Sequence, residues 1–226
     1  MKIAILGTGA VGQTFADKLS SLGHAVMVGT RDVAETMARD KPDMMGNPPF
    51  SAWCAQHPKV AVGTFAEAAA HGELAFCALS GAGAAAVVKS VATQLADKIL
   101  VDISNPLDFS KGFPPFLSVC NTDSLGEQIQ RDAPKTKVVK TLNTVNCLVM
   151  VNPALVTAGE HTAFMSGNDA GAKAEVGKIL REWFGWKDVV DLGDITTARG
   201  TEQLLPIWVR LYGALGTATF GFKVVR

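Results

Sequence analysis

The sequence has little that would commit it to a membrane, a nucleic acid or a metal. No apolar run approaches the length of a membrane span, and no basic leader precedes the first strand-like segment. Lys plus Arg and Asp plus Glu number 21 each, a formal net charge of +0. Neither nucleic acid nor an anionic membrane surface is therefore expected as a partner. These absences favour a soluble, cytoplasmic protein whose partners are small molecules. Cys54, Cys77, Cys120 and Cys147 are scattered, without the paired spacing of a zinc site or a redox couple. His24, His57, His71 and His161 are equally dispersed, so no metal site is expected. Cys77 lies in a strand-like run and reads as an inert core thiol.

What is present is a nucleotide-binding opening. The 226 residues, 48% of them hydrophobic, suffice for one substantial core with an attached cap rather than two full domains. The chain begins "MKIAILGTGAVGQTFADKLSSLG". Ile3 to Leu6 is a short apolar run suited to a strand buried on both faces. Gly7, Gly9 and Gly12 then supply G-x-G-x-x-G, with Phe15, Ala16, Leu19 and Leu22 following at helical spacing. In such a turn one glycine makes the bend, one lets the backbone approach a pyrophosphate, and one packs the helix on the strand. The helix aims its free amides and positive end at the phosphates.

The second strand, Ala25 to Val28, ends about where a dinucleotide fold keeps the acid that grips the NAD ribose. Here that place is held by Thr30, followed by Arg31. Losing the carboxylate removes the repulsion of a ribose phosphate, and threonine offers a hydroxyl. The guanidinium offers a planar fork of donors to the phosphate. NADP(H) is therefore expected over NAD(H), the alternative being that Arg31 is an ordinary solvated residue. Asp32 caps the next helix, with Glu35 completing a capping-box-like pair.

Further along, "KPDMMGNPPFSAWCAQHP" reads as a surface loop enclosing about one helical turn. "VAVGTFAEAAAHG" is a third strand and a helix, "ELAFCALS" a fourth strand, and "GAGAAAVVKSVATQL" an alanine-rich helix. "KILVDIS" and "TKVVKTLN" are strands five and six. Between them lies a long stretch, irregular at first and then helical from near Asp123 or Ser124. "HTAFMSG" and "DVVDLGD" are two more strands around the helix of "DAGAKAEVGKILREWFG". The tail "ITTARGTEQLLPIWVRLYGALGT" is mostly helical, interrupted around Pro206.

This alternation predicts an α/β fold of Rossmann type, a doubly wound, mostly parallel sheet with helices on both faces. Residues 1–193 form the dinucleotide-binding unit and 194–226 a small helical cap. Ligands in such sheets bind beyond the carboxyl ends of the strands. That places Gly7, Thr8, Gly9, Ala10, Val11 and Gly12 at the site, with Thr30 and Arg31. Leu79 and Ser80 follow strand four and pass beneath the dinucleotide, or form an ordinary strand-to-helix turn. Pro106 biases Asn105 toward an extended backbone, aiming its amide at the nicotinamide carboxamide, or the pair simply makes a turn. Asn143 and Thr144 are candidates to hydrogen-bond the second substrate, or to cap the "VNCLVM" segment.

The chain lacks the Tyr-x-x-x-Lys pair of short-chain dehydrogenases, since Gly216 stands four residues after Tyr212, the one tyrosine. It also lacks a long all-helical second domain carrying a catalytic lysine. No residue stands out as a general acid or base. Hydride transfer needs none when donor and acceptor are both cofactor rings, which the protein only stacks and orients.

"ILGTGAVGQTFADKLSSLGHAVMVGTRD", "DISNPL" and "VVKTLNTVN" together resemble the NADPH-dependent coenzyme F420 reductases, also called F420-dependent NADP oxidoreductases. The soluble reductase domain of mammalian ferric reductases is similar in the same places. The likeness runs from Met1 to about Gly193. It implies that Thr8, Gly9, Ala10, Val11, Thr30, Arg31, Leu79 and Ser80 line NADP. It also implies that Asn143 and Thr144 stand beside the acceptor ring, F420 or a flavin, with Leu142 in place of the family's phenylalanine. The longer tail, with Trp208 and Tyr212, resembles a bacterial branch whose acceptor need not be F420. Such a tail covers the acceptor pocket or packs against a second subunit in a homodimer. The resemblance leaves three functions open: an F420-type oxidoreductase, an NADPH-dependent flavin or ferric reductase, and a non-catalytic NADP(H)-binding redox sensor.

Overall fold

The computed structural model describes residues 1–42 and 46–226. Residues 43–45 of the loop read from "KPDMMGNPPF" lie outside that description. Alternate residues of the central strands enter two separate cores, which is why these strands are largely apolar. In β1 (Lys2–Leu6), Ile3 and Ile5 join one cluster while Ala4 and Leu6 join the other. β4 (Leu74–Cys77), β5 (Ile99–Asp102) and β8 (Lys137–Thr141) divide in the same way. The first core is large-sided: Phe15 of α1 (Ala10–Ser21) lies 5.1 Å from Phe76 and 5.5 Å from Phe184. The second mixes alanines with Leu, Ile and Val and holds no buried aromatic, and Ala68, Ala69 and Ala84 are fully buried there.

With β2 (Ala25–Thr30), β3 (Ala61–Thr64), β9 (Thr162–Gly167) and β10 (Asp188–Asp191), these strands form one eight-stranded sheet. Its order is β10-β9-β8-β5-β4-β1-β2-β3. Every neighbouring pair is parallel except β8 with β9. The chain builds outward from β1 through β2 to β3, then returns to lay β4 on the other side of β1. That reversal opens a crevice at the carboxyl ends of β1 and β4, where ligands of such sheets bind.

The local devices are ordinary ones. Asp32 caps α2 (Val33–Met37) by accepting the Glu35 amide at 2.8 Å. The reciprocal half of the expected box does not form, because the Glu35 carboxylate reaches forward to Arg39 at 2.8 Å. A complete box occurs instead at Thr64 and Glu67, starting α4 (Phe65–His71). The loop's helix, α3 (Phe50–Gln56), is longer than the single turn expected and stacks Phe50 on Trp53. The alanine-rich helix α5 (Gly81–Ser90) stops sooner than its composition suggests. Val91 and Leu95 continue its buried stripe in a run of tight turns.

The long stretch after β5 contains a small antiparallel pair, β6 (Leu107–Asp108) with β7 (Phe116–Leu117), which the sequence reading did not anticipate. Helix α6 (Leu125–Asp132) follows, with Ser124 as its cap. α7 (Cys147–Val151) and α8 (Ala170–Ile179) cover the first core. The tail holds α9 (Ala198–Gln203) and α10 (Leu205–Leu215). Pro206 sits in the first turn of α10, where its missing N–H costs no hydrogen bond. Beyond Gly216 the chain has no regular secondary structure and returns to β9, where Thr162 N–H donates to Phe222 O at 2.8 Å.

Candidate functional site

The β1–α1 turn is shaped as the glycine spacing predicts. Gly7 has φ +121°, and a side chain there would run into the Ala78 carbonyl. A Cβ on Gly12 would strike the Gly7 carbonyl, so this glycine is what lets α1 lie against β1. Gly9 is different: nothing lies within 4 Å of where its Cβ would be. It is also the N-cap of α1, with no side-chain cap and no acid in the first turn. The amides of the first turn thus face open space with no acid in the turn itself, a cradle suited to the phosphates of a dinucleotide.

At the tip of β2 one expectation needs correcting. Thr30 is the last residue of the strand, paired with Thr64, rather than part of the following loop. Its side chain is buried, and its hydroxyl is 2.7 Å from that of Thr36. It holds α2 in place and contributes no charge, but it does not offer its hydroxyl outward. Arg31 is exposed and makes no hydrogen bond or ion pair among the described residues. A cleft of about 440 Å³, which Arg31 itself does not line, is bounded by Thr8, Gly9, Thr36, Arg39, Asp40 and Lys41, among others. Arg39 and Lys41 went unnoticed in the sequence, although two cations ten residues past the second strand were a visible signal.

The crevice between β1 and β4 opens into a second cleft of about 370 Å³. Ala10 and Val11 form one side, Leu79 and Ser80 another, and Asn105 and Asn143 a third. The two asparagines are joined: Asn105 Nδ2 donates to Asn143 O at 2.9 Å, and Asn143 Nδ2 donates to Asn105 Oδ1 at 3.0 Å. The capping role open to Asn143 falls instead to Asn146, whose Oδ1 accepts the Leu148 amide of α7. Thr144 is buried and does not line the cleft. Pro106 also stays out of it, its carbonyl accepting the Ser118 amide at 2.8 Å. Leu142 turns into the core with φ +59°, so its side chain leaves the cleft wall to others. Phe109, Met150, Leu205 and Trp208 supply that wall, the last two from α10. Trp208 stacks on Tyr212 and Phe220 with ring centroids 5.9 and 5.2 Å away.

Behind this cleft lies a charge cluster that the sequence reading missed. Lys140 is buried, and its ammonium donates to Asp102 Oδ2 at 2.9 Å and Ser104 O at 2.7 Å, and pairs with Glu202 Oε1 at 2.9 Å. Burial alone would lower its pKa, but the two carboxylates outweigh that and hold it above the ordinary value. Glu202 also accepts the Leu125 and Gly126 amides, so a residue of α9 caps the start of α6. Burial, with the Asp102 charge, pushes the Cys77 thiol far up, and no thiolate is available there. Among the described residues no three His, Cys, Asp or Glu side chains are grouped to hold a metal. Nor is any helix there long and apolar enough to cross a membrane.

Comparison with known proteins agrees with this geometry. The family described as "NADP oxidoreductase coenzyme F420-dependent" matches residues 2–106. The crystal structure of a candidate F420-dependent NADP-reductase from Arthrobacter sp. FB24 superposes with a TM-score of 0.95. It is 57% identical, over 100% of both chains. The F420-dependent NADP reductase of Methanothermobacter marburgensis is 24% identical over 93% of this chain and 92% of its own. Metalloreductase STEAP3 of Rattus norvegicus is 29% identical over 92% of this chain, which spans only 38% of that protein's length. The chain belongs to the family of coenzyme F420-dependent NADP oxidoreductases and is an NADP-dependent oxidoreductase.

Proposed function

We propose that this protein moves a hydride between NADP(H) and a flavin-like ring acceptor, the deazaflavin coenzyme F420 being the first candidate. The observation that carries the reading is the lining of the cleft between β1 and β4. Among the described residues it contains no Asp, Glu, His, Lys or Arg, and Cys147 is the one titratable side chain in its lining. Reducing a carbonyl or imine calls for a placed proton donor. Passing a hydride between two rings calls for stacking surfaces and the exclusion of water.

NADP(H), when bound, supplies the hydride from its nicotinamide ring. The chain's own residues do the rest. The amides of Ala10, Val11 and Gly12 hold the pyrophosphate, with Thr8 and Gly9 shaping the turn. Arg31 takes the ribose phosphate, and Thr30 keeps a carboxylate away from it. Leu79 and Ser80 support the dinucleotide from the β4 side. Asn105 and Asn143 fix the polar edge at which the nicotinamide ends. Leu205 and Trp208, from the cap formed by residues 194–226, cover the side where the acceptor enters. A second reading, an NADPH-dependent flavin or ferric reductase, draws on the likeness to the rat metalloreductase.

The test is to mix the protein with NADPH and compare F420, FMN, FAD and ferric chelates by rapid absorbance. Rapid oxidation with F420 supports the first reading, and oxidation with flavins or ferric chelates alone supports the second. NADPH bound but oxidised by none of them would leave a redox sensor. Replacing Asn143 with Ala should slow transfer while NADPH affinity holds, and unchanged turnover would reduce that residue to a structural role.

A further inference from the structure

The chemistry-bearing pair at the cleft mouth has a twin three residues deeper in the sheet. Asp102 and Lys140 face each other in register across β5 and β8. Asn105 and Asn143 follow at the same offset of three residues on each strand and are again joined. Between the two pairs the β8 chain turns at Leu142, a non-glycine residue with φ +59°. Such a conformation persists only where its surroundings hold it.

The ion pair acts on the β5 side of this turn, at Ser104. Asp102 Oδ1 accepts both the amide of Ser104, at 3.0 Å, and its hydroxyl. Lys140 donates to the Ser104 carbonyl at 2.7 Å. The backbone of the residue just before Asn105 is therefore gripped at both ends by the two buried charges. Lys140 has no spare donor, since its third partner is Glu202. Through Glu202 the same ammonium is tied to α9, and α9 leads directly into the helix carrying Leu205 and Trp208.

Resting on the hydride-transfer reading above, we infer that Lys140, with Asp102 and Glu202, is a positioning group that sets the Asn105–Asn143 pair against the bound nicotinamide. It touches neither ring. It fixes the two strand ends and the cap that together determine how the donor ring meets the acceptor ring. Displacement of reacting atoms by about 1 Å can cost two orders of magnitude in rate. A buried charge set back from the site can therefore govern turnover without governing cofactor affinity.

The test uses the double variant Lys140→Met/Asp102→Asn. It removes the paired charges of β5 and β8 together, and the asparagine carbonyl can keep the Ser104 bonds; Glu202 loses its cation but still accepts the Leu125 and Gly126 amides. Val176→Ala, in the first core away from the cleft, serves as a control for lost stability. NADPH affinity is measured by titration, and the fluorescence anisotropy of the bound dihydronicotinamide reports its mobility without any acceptor. Single-turnover transfer is then measured with the acceptor the unmodified protein uses best.

The expected result is NADPH affinity within about twofold, lower nicotinamide anisotropy, and transfer slowed at least about tenfold in the double variant alone. Unchanged anisotropy, or the same slowing in Val176→Ala, overturns the inference. If the unmodified protein transfers to no acceptor, the hydride-transfer reading fails by itself, and the anisotropy still decides whether the cluster positions the ring.

Discussion

Replacing Arg31 with alanine should separate the two nicotinamide cofactors. The guanidinium is exposed and has no partner among the described residues, so its loss breaks no internal bond. The nearby acids do not compete for it: Asp32 caps α2, and Glu35 pairs with Arg39. The change in binding therefore reports the phosphate contact itself. A charge-assisted hydrogen bond is worth about 1.5–3 kcal/mol, which corresponds to roughly tenfold to 150-fold in affinity. Solvent screening at an exposed site favours the lower half of that range, and added salt should shrink it further. Calorimetric titration with NADPH and NADH would read both. NADPH should weaken by that factor, NADH should hardly change, and the melting temperature should stay in place. Equal losses for the two cofactors would refute the reasoning, because the guanidinium would then contact something common to both.

Three other outcomes follow from the same structure. Lys140→Met leaves Asp102 and Glu202 buried without a cation and should cost about 3–5 kcal/mol at pH 7. Urea melts would measure the loss, and a cost below about 1 kcal/mol would contradict the assignment. Asp123 is held down to about 2, chiefly by its paired hydrogen bonds from Arg131. Its contribution is present above the ordinary carboxylate value and disappears as pH falls through about 2. Asp123→Asn should thus cost less than about 1 kcal/mol at neutral pH and nothing in strong acid, as acid-titrated melts would show. Finally, Gly12→Ala should destabilise the fold by about 1–3 kcal/mol through overpacking. Gly9→Ala should melt like the unmodified protein yet bind NADPH more weakly, and a melt as poor as that of Gly12→Ala would count against the open turn.

How much of this was legible beforehand depended on whether the signal was local. The doubly wound, mostly parallel class of the sheet follows from strands alternating with helices, and the glycine turn from spacing alone. The inward turn of Thr30 was not legible, because it depends on β2 extending two residues further to pair with β3. The Asn105–Asn143 bond joins residues 38 apart in the chain. Lys140 and Asp102 each stood out as a charge within an apolar strand, "VVKTL" and "LVDIS", a sign of buried pairing. Their partner Glu202 lay in a tail whose docking no periodicity reveals. Leu142 in place of an aromatic suggested an altered stacking wall, but its side chain faces the core.

The central claim is that one ring hands its hydrogen directly to another within the cleft between β1 and β4. NADPH carrying deuterium at the transferring position of nicotinamide C4, mixed with protein and oxidised F420 in ordinary water, tests it most directly. The account predicts one carbon-bound deuterium in the reduced deazaflavin, read by mass spectrometry. Reduced product carrying only solvent hydrogen, or no reduced product, would contradict it.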